Sequence, residues 1–180
     1  MGRIVAEALR ADLDVILVRK LASPFHPELA LGAINEGGWT YLNEEAQGRL
    51  LDPVFLEREK QAQLRAINRR RKQYTPEHPP ITPEGRIVIV VDDGLATGAT
   101  MIAALHALRA CHPSRLVCAV PVAPPDALKK IEGMADEVVC LQVPEYFQSV
   151  GQFYKHFDPV DDREVTAILR NFPAPLPLPA

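Results

Sequence analysis

Two adjacent carboxylates, followed by a loop of small residues, form the segment of this sequence best suited to chemistry. Asp92 and Asp93 follow a run of apolar residues, and residues 94–100 (GLATGAT) lead into a pattern typical of a helix. The start of a helix presents unpaired backbone N–H groups and the positive end of its dipole, which together favour a phosphate group. Glycines let the backbone approach an anion closely, and Thr97 and Thr100 add hydroxyl donors. The segment therefore predicts a phosphate-binding loop with two carboxylates beside it.

The carboxylates would repel a phosphate, so they must address another part of the same ligand. Ionised carboxylates accept hydrogen bonds from a vicinal diol, and they can also hold Mg²⁺ through water. A sugar phosphate satisfies both halves of the segment. The loop has neither the Gly-Lys-Ser/Thr ending of a P-loop nor the G-x-G-x-x-G spacing of a dinucleotide-binding turn. The alternative is that Asp92 and Asp93 only cap and turn the chain; the whole order of features favours ligand binding.

Strands and helices alternate around this segment. Short apolar runs predict buried strands at residues 14–18, 86–91, 116–122 and 137–141. Helical periodicity or start signals predict helices near residue 4, from residue 52 to about 74, after residue 100, at 124–131 and around 165–169. This order predicts an α/β fold with a parallel sheet and helices on both faces. Ligands of such sheets bind beyond the carboxyl ends of the strands, where Arg19, Lys20 and the acidic pair stand.

Composition places the chain among ordinary globular proteins. Its 180 residues predict one domain (1–172) and a proline-rich tail (173–180). The formal net charge of −3 argues against a nucleic-acid partner. The sequence shows neither an apolar run of about eighteen residues nor a secretory segment at its start, so no membrane association is expected. With three widely spaced cysteines, this predicts a cytoplasmic protein with reduced thiols.

Residues 88–100 (VIVVDDGLATGAT) resemble the signature with which type I phosphoribosyltransferases bind 5-phosphoribosyl 1-pyrophosphate (PRPP). The resemblance implies that Asp92 and Asp93 hold the ribose 2- and 3-hydroxyls and that residues 95–100 wrap the 5-phosphate. The implied PRPP-binding residues are Asp92, Asp93, Gly94, Leu95, Ala96, Thr97, Gly98, Ala99 and Thr100. Arg19 and Lys20, in VRKL, resemble the basic pair that begins the mobile catalytic loop of this class and would face the pyrophosphate. The segments VRKLASPFHPELALGAI, VPVAPP and DEVVCL extend the resemblance to an uncharacterised bacterial branch of the class, from about residue 4 to about residue 169.

The activity implied by the resemblance is transfer of the 5-phosphoribosyl group from PRPP to an unidentified nitrogenous acceptor, with release of pyrophosphate. Arg19, Lys20, Asp92 and Asp93 would be the catalytic residues. Mg²⁺ would arrive with the substrate, and the acidic pair would hold it through water. The implied partners are PRPP and an acceptor base, and a homodimer is compatible with the class. A non-catalytic PRPP-binding regulator, or an RNA-binding protein of the same fold, is the alternative function.

One departure from the class concerns the N-terminus. Members of the class begin this domain with a strand and a short pyrophosphate-binding loop, whereas this sequence starts at Met1-Gly2-Arg3 directly before the first helix. That strand and most of that loop are therefore expected to be absent, either in a trimmed form or because the start lies too far downstream. Pyrophosphate chemistry depends on which of these holds.

Three weaker signals have two interpretations each. Residues 58–72 contain seven basic side chains, which predict a solvated helix face or else a phosphate or RNA contact. The aromatic residues between 146 and 157 predict a small satellite core or a surface that stacks on an acceptor base. His26 lies in the segment 23–38, which is predicted as a loop or loose hairpin that could close over the site.

Overall fold

The computed structural model describes residues 1–23, 30–47, 52–75 and 80–173. His26, His78 and the tail from residue 174 lie outside the described residues. The helices are α1 (Gly2–Leu9), α2 (Glu44–Gln47), α3 (Pro53–Tyr74), α4 (Ala99–Arg109), α5 (Pro125–Ile131) and α6 (Asp162–Asn171), with a 3₁₀ turn at Val150–Phe153. The strands are β1 (Val18–Ala22), β2 (Ala30–Asn35), β3 (Thr40–Leu42), β4 (Ile87–Val91), β5 (Arg115–Val122) and β6 (Glu137–Gln142).

A parallel sheet of order β4-β5-β6 carries the candidate site. Its central strand is buried because alternate residues point to opposite faces and both faces are apolar. Leu116 and Val120 of β5 pack with Leu105 of α4 and Ile131 of α5 in the main core. The predicted α/β fold and the strands at 86–91, 116–122 and 137–141 are confirmed.

The second face of this sheet carries α1. Val5 and Leu9 line a shallow groove together with Ile89 and Val117, so a helix lies on this face as well. Leu141, at the sheet edge, is 81% exposed. Across the part of the chain that the structure describes, no helix is both long and apolar enough to span a bilayer.

The strand predicted at residues 14–18 is wrong. In the structure the strand β1 begins only at Val18, and Arg19 and Lys20 lie inside it rather than after it. Residues 14–17 do not pair with a neighbouring strand and bind side chains instead: the backbone carbonyl of Val15 accepts from Arg71 at 2.7 Å, and the amide of Leu17 donates to Glu36 at 3.4 Å. An apolar run predicts extended backbone, but it does not identify the hydrogen-bond partners of that backbone.

A second sheet, antiparallel and of order β1-β2-β3, covers the outer side of α4. The segment 23–38, predicted as a loop or loose hairpin, instead contains the strand β2, which pairs antiparallel with β1 before the segment and with β3 after it; residues 24–29 lie outside the described part. The sheet is fixed to α4 by Asn35, which is 1% exposed and whose side-chain amide donates to the carbonyl of Ala103 at 3.2 Å.

The long helix α3 packs across this second sheet. Its start was predicted from Asp52-Pro53 and is confirmed, since the Asp52 carboxylate accepts the amide of Val54 at 2.9 Å. Ile67 and Tyr74 point into a core that includes Leu21 and Ile34.

Candidate functional site

The loop between β4 and α4 is held against the end of the central strand. The amide of Leu95 donates to the carbonyl of Val122 at 3.0 Å, and the Leu95 side chain is only 2% exposed. The next residues, Ala96 and Thr97, are exposed at the carboxyl end of the parallel sheet. Gly98 stands at the N-cap of α4 and has no side chain to satisfy the first amides of the helix. The amide of Ala99 makes only a long contact, 3.4 Å, to the Thr97 hydroxyl, so the start of the helix can donate to an anion.

Two glycines are required by this geometry. Gly98 has φ +79°, in the left-handed region that side chains disfavour. A Cβ on Gly94 would lie 2.8 Å from Cγ1 of Val150 and 3.0 Å from the carbonyl oxygen of Val122. The loop therefore runs in close contact both with β5 and with the segment that follows β6.

The acidic pair is poorly solvated. Asp92 Oδ1 accepts the amide of Asp93 at 2.9 Å. The pKa of Asp92 is raised from 3.8 to about 6, mainly by burial; the hydrogen bond from the Asp93 amide and the charge of Lys20 oppose this rise, and the charge of Asp93 adds to it. Burial also raises the pKa of Asp93. Among the described residues neither carboxylate forms an ion pair. Partly buried carboxylates at a sheet edge that form no direct ion pair are typical of a binding site.

The two basic residues of β1 have different surroundings. Successive strand residues point to opposite faces: the Arg19 guanidinium donates to Gln63 of α3 at 2.5 Å, whereas the charge of Lys20 lowers the pKa of Asp92. The structure thus brings Lys20, of the two, into electrostatic reach of the acidic pair.

Tyr154 belongs to the site and was missed as an individual residue by the sequence analysis. Its hydroxyl donates to the backbone carbonyl of Asp93 at 2.6 Å. Burial raises the pKa of Tyr154, and the charges of Asp93 and Asp92 raise it further. The aromatic segment to which it belongs follows β6 and therefore crosses the ligand-binding edge of the sheet, a placement that the strand order predicts. The tyrosine ring also packs against Phe157, at 5.1 Å between centroids.

Metal binding by protein atoms alone has little support in the described residues. They include no group of three or more His, Cys, Asp or Glu side chains placed to hold an ion. Asp92 and Asp93 provide oxygen ligands, which is the chemistry Mg²⁺ prefers, and the metal would complete its shell with water and ligand oxygens.

Comparison with known proteins identifies the family. Residues 42–156 match the family model of the phosphoribosyl transferase domain. Two proteins from Mycobacterium tuberculosis strains CDC 1551 / Oshkosh and ATCC 25618 / H37Rv, each named "Putative phosphoribosyl transferase", are 45% identical over 166 residues. These matches cover 92% of this chain and 38% of each relative, so the chain spans less than half the length of those relatives. The crystal structure of TT1426 from Thermus thermophilus matches with a TM-score of 0.75 and 45% identity, over 93% of this chain and 79% of that one. The loop geometry and these similarities agree, and the chain belongs to the phosphoribosyltransferase family.

Proposed function

We propose that the chain binds PRPP and transfers its 5-phosphoribosyl group to a nitrogenous acceptor, with release of pyrophosphate. One observation supports this most strongly: two complementary features lie at opposite ends of one short loop. At one end is the N-cap of α4, which has no side chain; at the other are the carboxylates of Asp92 and Asp93, which form no ion pair among the described residues. A phosphate suits the first and a vicinal diol suits the second. A ribose 5-phosphate group carries both.

Each part of the site has a role in the proposed reaction. Asp92 and Asp93 accept from the ribose hydroxyls, and the loop of residues 95–100 wraps the 5-phosphate, with the amides at the start of α4 as donors. An acceptor nitrogen attacks the anomeric carbon, the bond from that carbon to pyrophosphate oxygen breaks, and the electron pair leaves with pyrophosphate. The ribose gains positive charge in the transition state, so the protein acts mainly by positioning and by stabilising charge.

Lys20 and Arg19 are proposed to balance the negative charge of the departing pyrophosphate. Lys20 is the better placed, because its charge already acts on Asp92. Phosphoribosyltransferases in general use Mg²⁺, which neutralises pyrophosphate; here Asp92 and Asp93 would hold the ion through water. Tyr154 is proposed as a positioning residue, because its hydrogen bond fixes the backbone of Asp93.

The test compares ribose 5-phosphate with inorganic phosphate. The double substitution Asp92→Asn with Asp93→Asn should weaken binding of ribose 5-phosphate by at least tenfold without weakening the binding of inorganic phosphate, because only the sugar needs the carboxylates and their charges repel the phosphate. The matched control, Glu84→Gln with Glu132→Gln, removes two exposed charges elsewhere and should change neither affinity. Unchanged ribose 5-phosphate affinity in the Asp92/Asp93 variant would contradict the assignment.

Turnover is tested separately. Purine, pyrimidine and pyridine bases are added one at a time to the protein with PRPP. Pyrophosphate should be released only when the acceptor base is present. PRPP binding with no release for any acceptor would overturn the transferase proposal and support the PRPP-binding regulator instead.

A further inference from the structure

The helix α3 carries a row of four cations on the side that faces away from the core. Arg58, Arg65, Arg69 and Lys72 are all exposed. At 100° per residue they fall within an arc of roughly 60°, on the side opposite Ile67, which is 1% exposed. From first to last, the row extends about 21 Å along the helix at 1.5 Å per residue. We call these four side chains the basic face of α3.

The basic face is not neutralised within the described part of the chain. None of its four side chains forms an ion pair there. The neighbouring arginines do form ion pairs: Arg70 Nη2 lies 3.5 Å from Asp162 Oδ1, and Arg71 Nη2 lies 2.6 Å from Glu36 Oε1. The sequence alone does not separate these two groups of arginines, since both lie in one run. The fold uses Arg71 to hold the second sheet and leaves the basic face open to solvent.

We propose that the basic face of α3 binds the sugar-phosphate backbone of a duplex nucleic acid, independently of its sequence. Three of its four cations are arginines, whose planar guanidinium groups bind phosphate through paired hydrogen bonds. Asn68 is exposed beside this row and adds an amide donor, whereas the side-chain amide of Gln61 donates to Glu57 at 2.9 Å. A row about 21 Å long spans several phosphates, since each strand of a duplex carries one phosphate per about 3.4 Å of helix axis.

Other polyanions fit this face less well. An anionic membrane binds helices that combine cations with an apolar face in contact with lipid, but the apolar side of α3, including Ile67, lies in the protein core. Single strands are bound by stacking on aromatic rings, but both aromatic side chains of α3 belong to the core: Phe55 packs against it, and Tyr74 is buried with its hydroxyl donating to Asp162 at 2.5 Å. The net charge of −3 argued against a nucleic-acid partner, but a net charge is a sum over the whole chain. It does not show that positive charge is concentrated on the basic face of α3.

Each phosphate contact contributes about −0.9 to the slope of log K against log salt, so four contacts give about −3.6. Raising the salt concentration from 50 to 200 mM should then weaken binding about 150-fold. The substitution Arg65→Gln with Arg69→Gln removes two contacts and should halve the slope, to about −1.8.

The experiment measures fluorescence anisotropy of 20-base-pair RNA and DNA duplexes of mixed sequence over this salt range. The control variant, Lys129→Gln with Lys130→Gln, removes the same charge from the exposed side of α5 and should keep the wild-type slope. The variant Arg65→Lys with Arg69→Lys should also keep it, which separates charge from any effect on the fold. Tighter binding of the RNA or of the DNA duplex would tell which of them the face prefers.

Three results would overturn the inference. The first is failure of both duplexes to bind at 50 mM salt. The second is an equal change of slope in the α3 and α5 variants, which would show diffuse attraction rather than a site. The third is binding to vesicles of phosphatidylserine and phosphatidylcholine without binding to either duplex. None of these depends on PRPP, so the outcome is independent of the proposed catalytic activity.

Discussion

Replacing Asp92 by asparagine should stabilise the protein at alkaline pH while removing its ability to bind ribose. Burial raises the pKa of this carboxyl from 3.8 to about 6, which means that the native state resists its ionisation. At 1.36 kcal/mol per pH unit, the ionised form costs the native state at most about 3 kcal/mol. Asparagine keeps an oxygen that can accept the amide of Asp93, as the carboxylate does at 2.9 Å, but it carries no charge.

The sign of the pH dependence follows from the same numbers. Between pH 3.8 and about 6 the native state holds a proton that the unfolded chain has lost, so wild-type stability falls as the pH rises. The penalty is about 1.6 kcal/mol at pH 5 and reaches its full value of about 3 kcal/mol at pH 8. The advantage of Asp92→Asn over wild type should therefore grow by about 1.4 kcal/mol between these two pH values.

Urea denaturation at pH 5 and pH 8 measures this difference directly. The control is Glu84→Gln, an exposed carboxyl whose substitution should leave the free energy of unfolding within about 0.5 kcal/mol of wild type at both pH values. An Asp92→Asn variant that is no more stable than wild type at pH 8, or whose advantage does not grow with pH, would refute the reasoning.

Three further substitutions test the surroundings of the site. Tyr154→Phe should weaken ribose 5-phosphate binding by up to about tenfold, through loss of one hydrogen bond, lower the melting temperature by about 2–4 °C and leave phosphate binding unchanged; the exposed Tyr146→Phe should change none of these in the same measurements. Gly94→Ala places a methyl group 2.8 Å from a valine side chain and should lower the free energy of urea unfolding by about 1–3 kcal/mol, and an unchanged value would show that the loop yields freely. Asn35→Ala removes two hydrogen bonds from a buried side chain and should lower the same free energy by about 1–3 kcal/mol; a smaller loss would mean that water replaces them.

The sequence predicted the part of the site that is local in the chain. The apolar strand, the acidic pair, the glycine turn and the helix start are consecutive, so each follows from neighbouring residues. The same holds for the start of α3, where Asp52 caps the helix that begins at Pro53. In both places short-range hydrogen bonds and backbone geometry determine the structure.

The parts that the sequence did not predict depend on distant residues. The backbone of residues 14–17 is bound by side chains of Glu36 and Arg71, which lie 19 and 56 positions away from their respective partners. Tyr154 meets Asp93 across 61 positions. The apolar run predicts an extended backbone at residues 14–17, and the composition shows aromatic side chains around Tyr154. Neither feature identifies the distant polar group with which the segment forms its hydrogen bonds.

The most direct test of the proposed function is a calorimetric titration of the protein with PRPP, with and without Mg²⁺. We expect one binding site per chain, affinity that strengthens when Mg²⁺ is present, and no measurable binding by the variant with Asp92→Asn and Asp93→Asn. No heat of binding by the wild-type protein, or the same affinity in the double variant, would contradict the account.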